Sequence, residues 1–310
     1  MTLDPRAKRL LDILALSAPS DGPRQSAAER RESFAKLIQT AARPVAIVRS
    51  IDRIIAAPGR DIPIRIYDDV AKRESLAGGL VFFHGGGLVA GSIETHDGIC
   101  RRLAKAAGVI VVSVGYRLAP EARFPAALED AAFIVKWVSE WPAETGIDPA
   151  RLAIGGDSAG AMLAVLIADE ARQIGLSFKA QLLLCPVLDL IGEMQSRKDF
   201  AKGFLIGSET VQRDIEDCLG PDAGTSDPRF SPLRNANLKA MPQSIIHTAE
   251  YDAFRDEGEA FAWRLAAAGV DAKLTRHAGM LHSFYGLPGL FPQADTALEA
   301  AGAELARILG

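Results

Sequence analysis

The 310-residue chain has few cysteines, few histidines and no apolar run of membrane length. Cys100, Cys185 and Cys218 are odd in number, far apart and without metal-type spacing, which argues against a disulfide framework or a zinc site. Such usage points to a reducing compartment, so the cytoplasm is the expected location. A membrane helix needs roughly 20 consecutive apolar residues, and no stretch approaches that. The apolar segment Leu10 to Leu16 is interrupted by Asp12 and lacks the flanks of a signal peptide, so neither secretion nor a membrane span is expected. Basic excess is also missing. The formal net charge is -4, and nucleic acid is not an expected partner.

What is present is an ordinary globular composition, 48% hydrophobic and 24% charged, which excludes disordered and fibrous classes. The length fits one large α/β domain with a modest appendage. Ala7, Leu10, Leu11 and Leu14 share one face of an N-terminal helix, and a polar stretch follows from Ser20 to Glu32. From about Ala46 short β-type runs begin, with Ile62 to Tyr67, then Leu80 to Phe83 and Val109 to Val114. The last two are nearly continuous apolar runs, as strands buried on both faces require. Helical stretches over Gly98 to Ala107, Pro125 to Glu140 and Ala159 to Ile174 alternate with further strands at Leu152 to Ile154, Ala180 to Leu184, Ser244 to Thr248 and Ala272 to Thr275. A last helix spans Pro292 to Ile308. That alternation predicts an α/β fold. The segment Ile191 to Pro242 breaks the rhythm with turn signals at Asp227-Pro228 and Ser231-Pro232, and reads as an insertion.

The strongest local signal is Leu152-Ala153-Ile154-Gly155-Gly156-Asp157-Ser158-Ala159-Gly160, a strand running through Gly-x-Ser-x-Gly into a helix. A nucleophilic serine on a sharp strand-to-helix turn needs this context, with glycines leaving room two residues either side. An acyl-transfer site also needs N–H donors aimed at the oxyanion, typically worth about 10²–10³ in rate for one donor. His84-Gly85-Gly86-Gly87 follows directly on an apolar strand and supplies such a loop, with the amide of Ala159 as a further donor.

The general base is sought among His84, His96, His247, His277 and His282. In this fold the order is serine, acid, histidine, which leaves the last three. His247 sits inside an apolar strand, and His277 at a strand end. His282, in the turn-rich stretch Gly279 to Phe284, is the better placed of His277 and His282. For the acid, Glu250 and Asp252 both follow the strand Ser244 to Thr248, while Asp256 and Glu257 suit the start of a helix.

With these residues in hand, the chain resembles the hormone-sensitive-lipase family of bacterial carboxylesterases over roughly Pro44 to Phe284. The resemblance is carried by His84-Gly85-Gly86-Gly87, Tyr116-Arg117-Leu118-Ala119-Pro120-Glu121, Gly156-Asp157-Ser158-Ala159-Gly160, Asp227-Pro228-Arg229 to Ser231-Pro232-Leu233, and Glu250-Tyr251-Asp252 with Arg255-Asp256. It implies an α/β-hydrolase fold, a mostly parallel central sheet flanked by helices, with a small helical cap. The cap would comprise residues 1–45 and an insertion at 191–235, on a core of 46–190 and 236–310. The implied catalytic residues are Ser158, Asp252 and His282, with Glu250 a neighbour of the acid. The implied oxyanion donors are the amides of Gly85, Gly86 and Ala159. Tyr116 to Glu121 would brace the loop beside the site. Leu88, Val89 and Leu188 are candidates for lining the pocket or for plain core. Ser283 departs from the glycine that many relatives carry after the histidine.

The implied activity is hydrolysis of short- to medium-chain carboxylic esters through an acyl-enzyme, with no metal or organic cofactor. It should fall as pH drops through a histidine pKa near ~6.5. The same groups also suit an amide, lactone or thioester, or a non-catalytic small-molecule receptor on this fold. The family often forms dimers, so a homodimer is an expected assembly, though no sequence feature fixes it.

Overall fold

The computed structural model describes residues 2–17, 25–171, 175–220, 227–234 and 238–310. Its strands are β1 (Arg49–Ala57), β2 (Arg60–Asp68), β3 (Ala77–Phe83), β4 (Ile110–Val114), β5 (Ile147–Asp157), β6 (Ala180–Leu184), β7 (Gln243–Tyr251) and β8 (Ala272–Leu281). They form one eight-stranded sheet in the order β1-β2-β4-β3-β5-β6-β7-β8. β1, β2 and β4 pair antiparallel, and from β4 to β8 every pairing is parallel. The helices are α1 (Pro5–Ser17), α2 (Ala27–Ala41), α3 (Ile93–Ala107), α4 (Ala126–Glu140), α5 (Pro142–Thr145), α6 (Ala159–Ala171), α7 (Gln195–Asp199), α8 (Ser208–Leu219), α9 (Arg255–Ala267) and α10 (Gln293–Leu309).

Strand alternation sorts the core into two layers. Val81 and Phe83 of β3 pack with α4, α6 and α9 on one face, and Leu80 and Phe82 pack with α3 and α10 on the other. Every residue of β3, β4 and β6 is buried. This is why their sequences read as continuous apolar runs rather than as an alternation. Each such Leu, Val or Phe contributes roughly 1.5–3 kcal/mol on burial.

β1 is a strand that the sequence pattern does not reveal. It lies at the sheet edge, keeps only Ile55 buried and leaves Ile54 exposed. β8 runs six residues beyond the expected Thr275, to Leu281. α1 docks on the core side, where Ala7 and Leu10 are buried among residues of α10 and β8, and the amide of Asp4 donates to Gly279 O at 3.1 Å. α2 and α8 instead lie over the C-terminal ends of the parallel strands, where both line a cavity. α2 begins with a capping box, Ser26 Oγ accepting from the Glu29 amide while Glu29 accepts from the Ser26 amide. The expected helix end at Ile174, part of the polar stretch from Ser20, and residues 221–226 and 235–237 of the insertion, with its expected boundary at 235/236, lie outside the described residues. Among the described residues no helix is long and apolar enough to cross a membrane.

Candidate active site

Three parallel strands deliver one residue each to a common point at their C-terminal ends, the position open α/β sheets use for ligands. β5 ends at Asp157 and α6 starts at Ala159, so Ser158 takes the whole turn alone, at φ 53°. A non-glycine residue there carries strain that the surroundings must hold. They do so with a bond from the Ser158 amide to Leu184 O at 2.9 Å, while Ser158 O accepts from Ala161 and Val187. The flanking glycines are required by contact. A Cβ on Gly160 would fall 2.1 Å from Phe83 O, and one on Gly156 would fall 2.5 Å from the same oxygen.

Ser158 Oγ lies 2.9 Å from His282 Nε2, and His282 Nδ1 lies 2.8 Å from Asp252 Oδ2. All three side chains are buried. Asp252 follows β7 directly, and its other oxygen accepts from the Phe254 amide at 2.9 Å. An ionised carboxylate can only accept, so Nδ1 carries the proton and Nε2 presents its lone pair to the serine hydroxyl. Burial disfavours the imidazolium, but the charge and hydrogen bond of Asp252, with Asp157 and Glu257 further off, outweigh it. The His282 pKa is thereby raised above its ordinary 6.5.

The rival candidates are occupied elsewhere. His277 meets His247 at 3.1 Å, and burial pushes the two down to about 4 and about 3, so both are neutral. Glu250 accepts from the Gly279 amide at 2.7 Å. Asp256 and Glu257 stand in the first turn of α9. Glu257 is fully buried, where it accepts from the amides of Leu188 and Asp189 and from Arg197. Burial raises its carboxyl to about 7.

The glycine loop corrects one expectation. The Gly85 amide does not face the nucleophile; it donates to Asp157 Oδ1 at 2.8 Å, with His96 Nε2 at 3.2 Å. A donor already bound to a buried carboxylate is not open to an oxyanion. Gly86 and Gly87 line the cavity beside Ser158 and Ala159, and the amides of Gly86, Gly87 and Ala159 donate to no other group among the described residues. Asp157 is the organiser that sequence reasoning missed. Burial pushes its pKa up, yet His96 and the Gly85 amide more than offset this and leave it lowered, so it is an anion. It also accepts from Ser283 Oγ at 3.3 Å. Behind the loop, burial pushes His84 down to about 3, and Tyr116 stacks on its ring at 4.2 Å and donates to His84 O at 2.6 Å. Arg117 turns away to Asp130 and Glu129, while Glu121 holds Arg31 of α2.

The cavity over Ser158 has a volume of about 290 Å³. Leu88 lines it, but Val89 and Leu188 do not; both are core, and their neighbours Val187 and Leu190 take the lining positions. Met162, Phe254, Phe34 and Leu37 complete much of the apolar wall, and Arg30 and Asp214 are polar members contributed by α2 and α8. Among the described residues, the one cluster of metal-ligand type is Cys185, Asp252 and His282. Asp252 and His282 are already bonded to each other, and burial holds the Cys185 thiol well above its usual range, hence neutral.

Sheet topology, elbow and hydrogen-bond chain together define an α/β hydrolase. Comparison with known proteins agrees. A family model described as alpha/beta hydrolase fold matches residues 80–286. An arylesterase of Saccharolobus solfataricus is 33% identical over 301 residues, 97% of this chain and 98% of its own. An ethyl acetate hydrolase of Pseudomonas putida is 37% identical over 243 residues, 77% and 76% of the two chains. A hyperthermophilic esterase from Pyrobaculum calidifontis superposes with a TM-score of 0.91 at 35% identity, covering 99% of both chains. A thermostable esterase from Pseudomonas putida does so with 0.93 at 31% identity, covering 100% and 98%. The chain belongs to the carboxylesterase family that resembles hormone-sensitive lipase, and it is a carboxylic ester hydrolase.

Proposed function

We propose that this protein is a serine carboxylesterase acting on esters of short to medium acyl chains. The observation that carries the reading is the buried chain from Asp252 through His282 to Ser158 at the floor of an apolar cavity. His282 Nε2 takes the proton of Ser158 as Oγ attacks the ester carbonyl. The amides of Gly86, Gly87 and Ala159 receive the oxyanion, and His282 then protonates the departing alcohol. Water, deprotonated by the same nitrogen, attacks the acyl-enzyme and releases the acid and Ser158. The cap over this site is α2 with the insertion that carries α7 and α8.

A cavity of about 290 Å³ sits at the lower end of small-molecule pockets, which favours short acyl groups over lipid tails. The name of the Pseudomonas putida relative, ethyl acetate hydrolase, is in line with this. Three buried free thiols accord with a reducing cytoplasm. A homodimer belongs to the same reading, since β8 ends the sheet and Trp263 of the adjacent α9 is exposed; light scattering on the eluting protein tests it.

The deciding experiment is hydrolysis of p-nitrophenyl esters from acetate to palmitate, beside Ser158→Ala. Activity should be greatest on the short chains and fall by about 10⁶ in the variant, by analogy with subtilisin. A folded parent inert on all chains, or a variant as active as the parent, refutes the assignment.

A further inference from the structure

The oxyanion loop turns through three residues of positive φ, one of which is not glycine. Gly86, Gly87 and Leu88 have φ of 117°, 66° and 60°, and Leu88 has no glycine's freedom to be there. Such backbone persists only where its surroundings over-determine it. The inner anchors belong to the core. The Gly85 amide donates to Asp157, the Ala90 amide donates to Gly86 O at 2.8 Å, and the Ala119 amide donates to Leu88 O at 2.9 Å.

The outer anchors come from the cap. Cys218 of α8 directs its thiol to Gly87 O at 3.2 Å. One turn earlier, the Asp214 carboxylate packs on Gly87 so closely that a Cβ there would fall 2.1 Å from Oδ2. Asp214 is in turn gripped by Arg30 of α2, which also reaches Asp217 at 3.5 Å. The next residue, Arg31, donates from Nε to Val89 O at 2.7 Å. Burial raises the Cys218 thiol far above its usual pKa, so it remains a neutral S–H donor. Burial raises the Asp214 carboxyl to about 6 and the Arg30 guanidinium keeps it from rising further; ionised beside Gly87 without that cation, it would oppose an oxyanion forming there.

We propose that Cys218 and Asp214 of α8, with Arg30 of α2 fixing Asp214, are positioning residues that hold Gly87 at its carbonyl and its Cα, and through them the direction of its N–H in the oxyanion hole. Seating of α2 and α8 on the loop and completion of the hole then go together. The inference rests on the serine-esterase reading, and its test separates the two.

The full-length protein, Cys218→Ala, Cys218→Ser, Arg30→Met and the double variant Arg30→Met/Asp214→Asn are assayed on p-nitrophenyl acetate, whose acyl group is too short to need the cap for binding. A hole donor acts in the transition state, so Cys218→Ala should lower kcat by about tenfold with KM within about twofold of the parent. Cys218→Ser keeps a donor and should recover most of that loss. A packing role alone would move KM or stability and would leave serine no better than alanine. Arg30→Met removes the cation that holds the Asp214 carboxyl down to about 6, so the assay is run at about pH 9, where an uncompensated carboxylate stands beside the hole; kcat should fall there by about tenfold or more, and adding Asp214→Asn should restore part of it. Unchanged kcat in Cys218→Ala, serine as poor as alanine, or losses at Arg30 and Asp214 that simply add would each overturn the proposal. A parent that hydrolyses no ester fails the functional reading itself, whereas an active parent matched by its variants fails this inference alone. The Arg30 series leaves position 218 untouched, so it stands if a Cys218 variant does not fold.

Discussion

Replacing Asp252 by asparagine exchanges one carboxylate oxygen for an NH₂ group, yet the structure predicts which proton it misplaces. Asp252 uses one oxygen for the Phe254 amide at 2.9 Å and the other for His282 Nδ1 at 2.8 Å. In Asp252→Asn the amide oxygen must stay on the Phe254 N–H, because a buried donor left unpaired costs about 1–3 kcal/mol. The NH₂ group then faces Nδ1, and imidazole satisfies it only by accepting there and carrying its proton on Nε2. That nitrogen, 2.9 Å from Ser158 Oγ, then has no lone pair with which to take the serine proton. The wrong tautomer in a serine protease lowers kcat by about 10⁴, which at 1.36 kcal/mol per tenfold is about 5.4 kcal/mol of barrier. Steady-state kcat on p-nitrophenyl acetate measures it, with near-parental thermal unfolding as the control that the fold is intact. Retention of more than about a tenth of the parental kcat by a folded Asp252→Asn would refute the assignment of Asp252 as the orienting acid.

Three other outcomes follow from the same geometry. The acid limb of kcat/KM should lie above 6.5, because His282 must be neutral to act and its pKa is raised by Asp252 beyond what burial takes away; a limb at or below that value in a pH-rate profile contradicts it. For stability the same shift favours the folded state below the unfolded pKa, and that contribution fades as pH rises through the folded one. Gly160→Ala places a Cβ 2.1 Å from Phe83 O and 2.5 Å from His84 O; both are backbone that cannot step aside, so urea denaturation should show a loss of at least about 3 kcal/mol. Ser283 sits at φ 50°, a conformation costing a non-glycine residue about 1–3 kcal/mol. Ser283→Gly should therefore be more stable by up to about 1 kcal/mol after the entropy of glycine is deducted. A lower urea midpoint would mean that the hydroxyl bond to Asp157 outweighs the strain.

The core was legible because burial on both faces leaves an unmixed signal. Leu80 to Phe83 and Ala180 to Leu184 are apolar at nearly every position and stand where strands stand. Of the proposed triad, Ser158 and His282 were legible because chain order and turn chemistry restrict a nucleophile elbow and a histidine past a strand; Glu250 and Asp252 both stood past theirs, and the family resemblance chose between them. β1 was not, since an edge strand with one buried residue has no pattern that burial could impose. α2 and α8 were hidden by polarity, although each carried a signal: Ser26 and Glu29 have the spacing of a capping box, and Val211, Ile215 and Cys218 recur on one face of a helix. Gly85 is named as a donor on the family resemblance. Which amide points at the nucleophile depends on Asp157, and no spacing along the chain states that the residue before Ser158 reaches across to take the Gly85 proton.

Asp157 gives the site its division of labour. Its buried carboxylate holds the Gly85 amide, His96 at 3.0 Å and the Ser283 hydroxyl. The elbow, the oxyanion loop and the histidine loop thus share one inner fixture, built on strands that cannot shift without disrupting the sheet. The outer face of the same loop is held by two helices that contribute little to that sheet. Arg30, Arg31, Asp214 and Cys218 reach it from α2 and α8, the helices that also line the cavity. Substitutions that reshape the cavity therefore act on the peptides proposed to hold the oxyanion as well as on the walls that meet the acyl group. Selectivity in this protein is then expected to appear in kcat as well as in KM. A wall residue outside α2 and α8, such as Leu205, separates the two effects: Leu205→Ala should change KM for longer acyl chains while leaving kcat on acetate within about twofold of the parent.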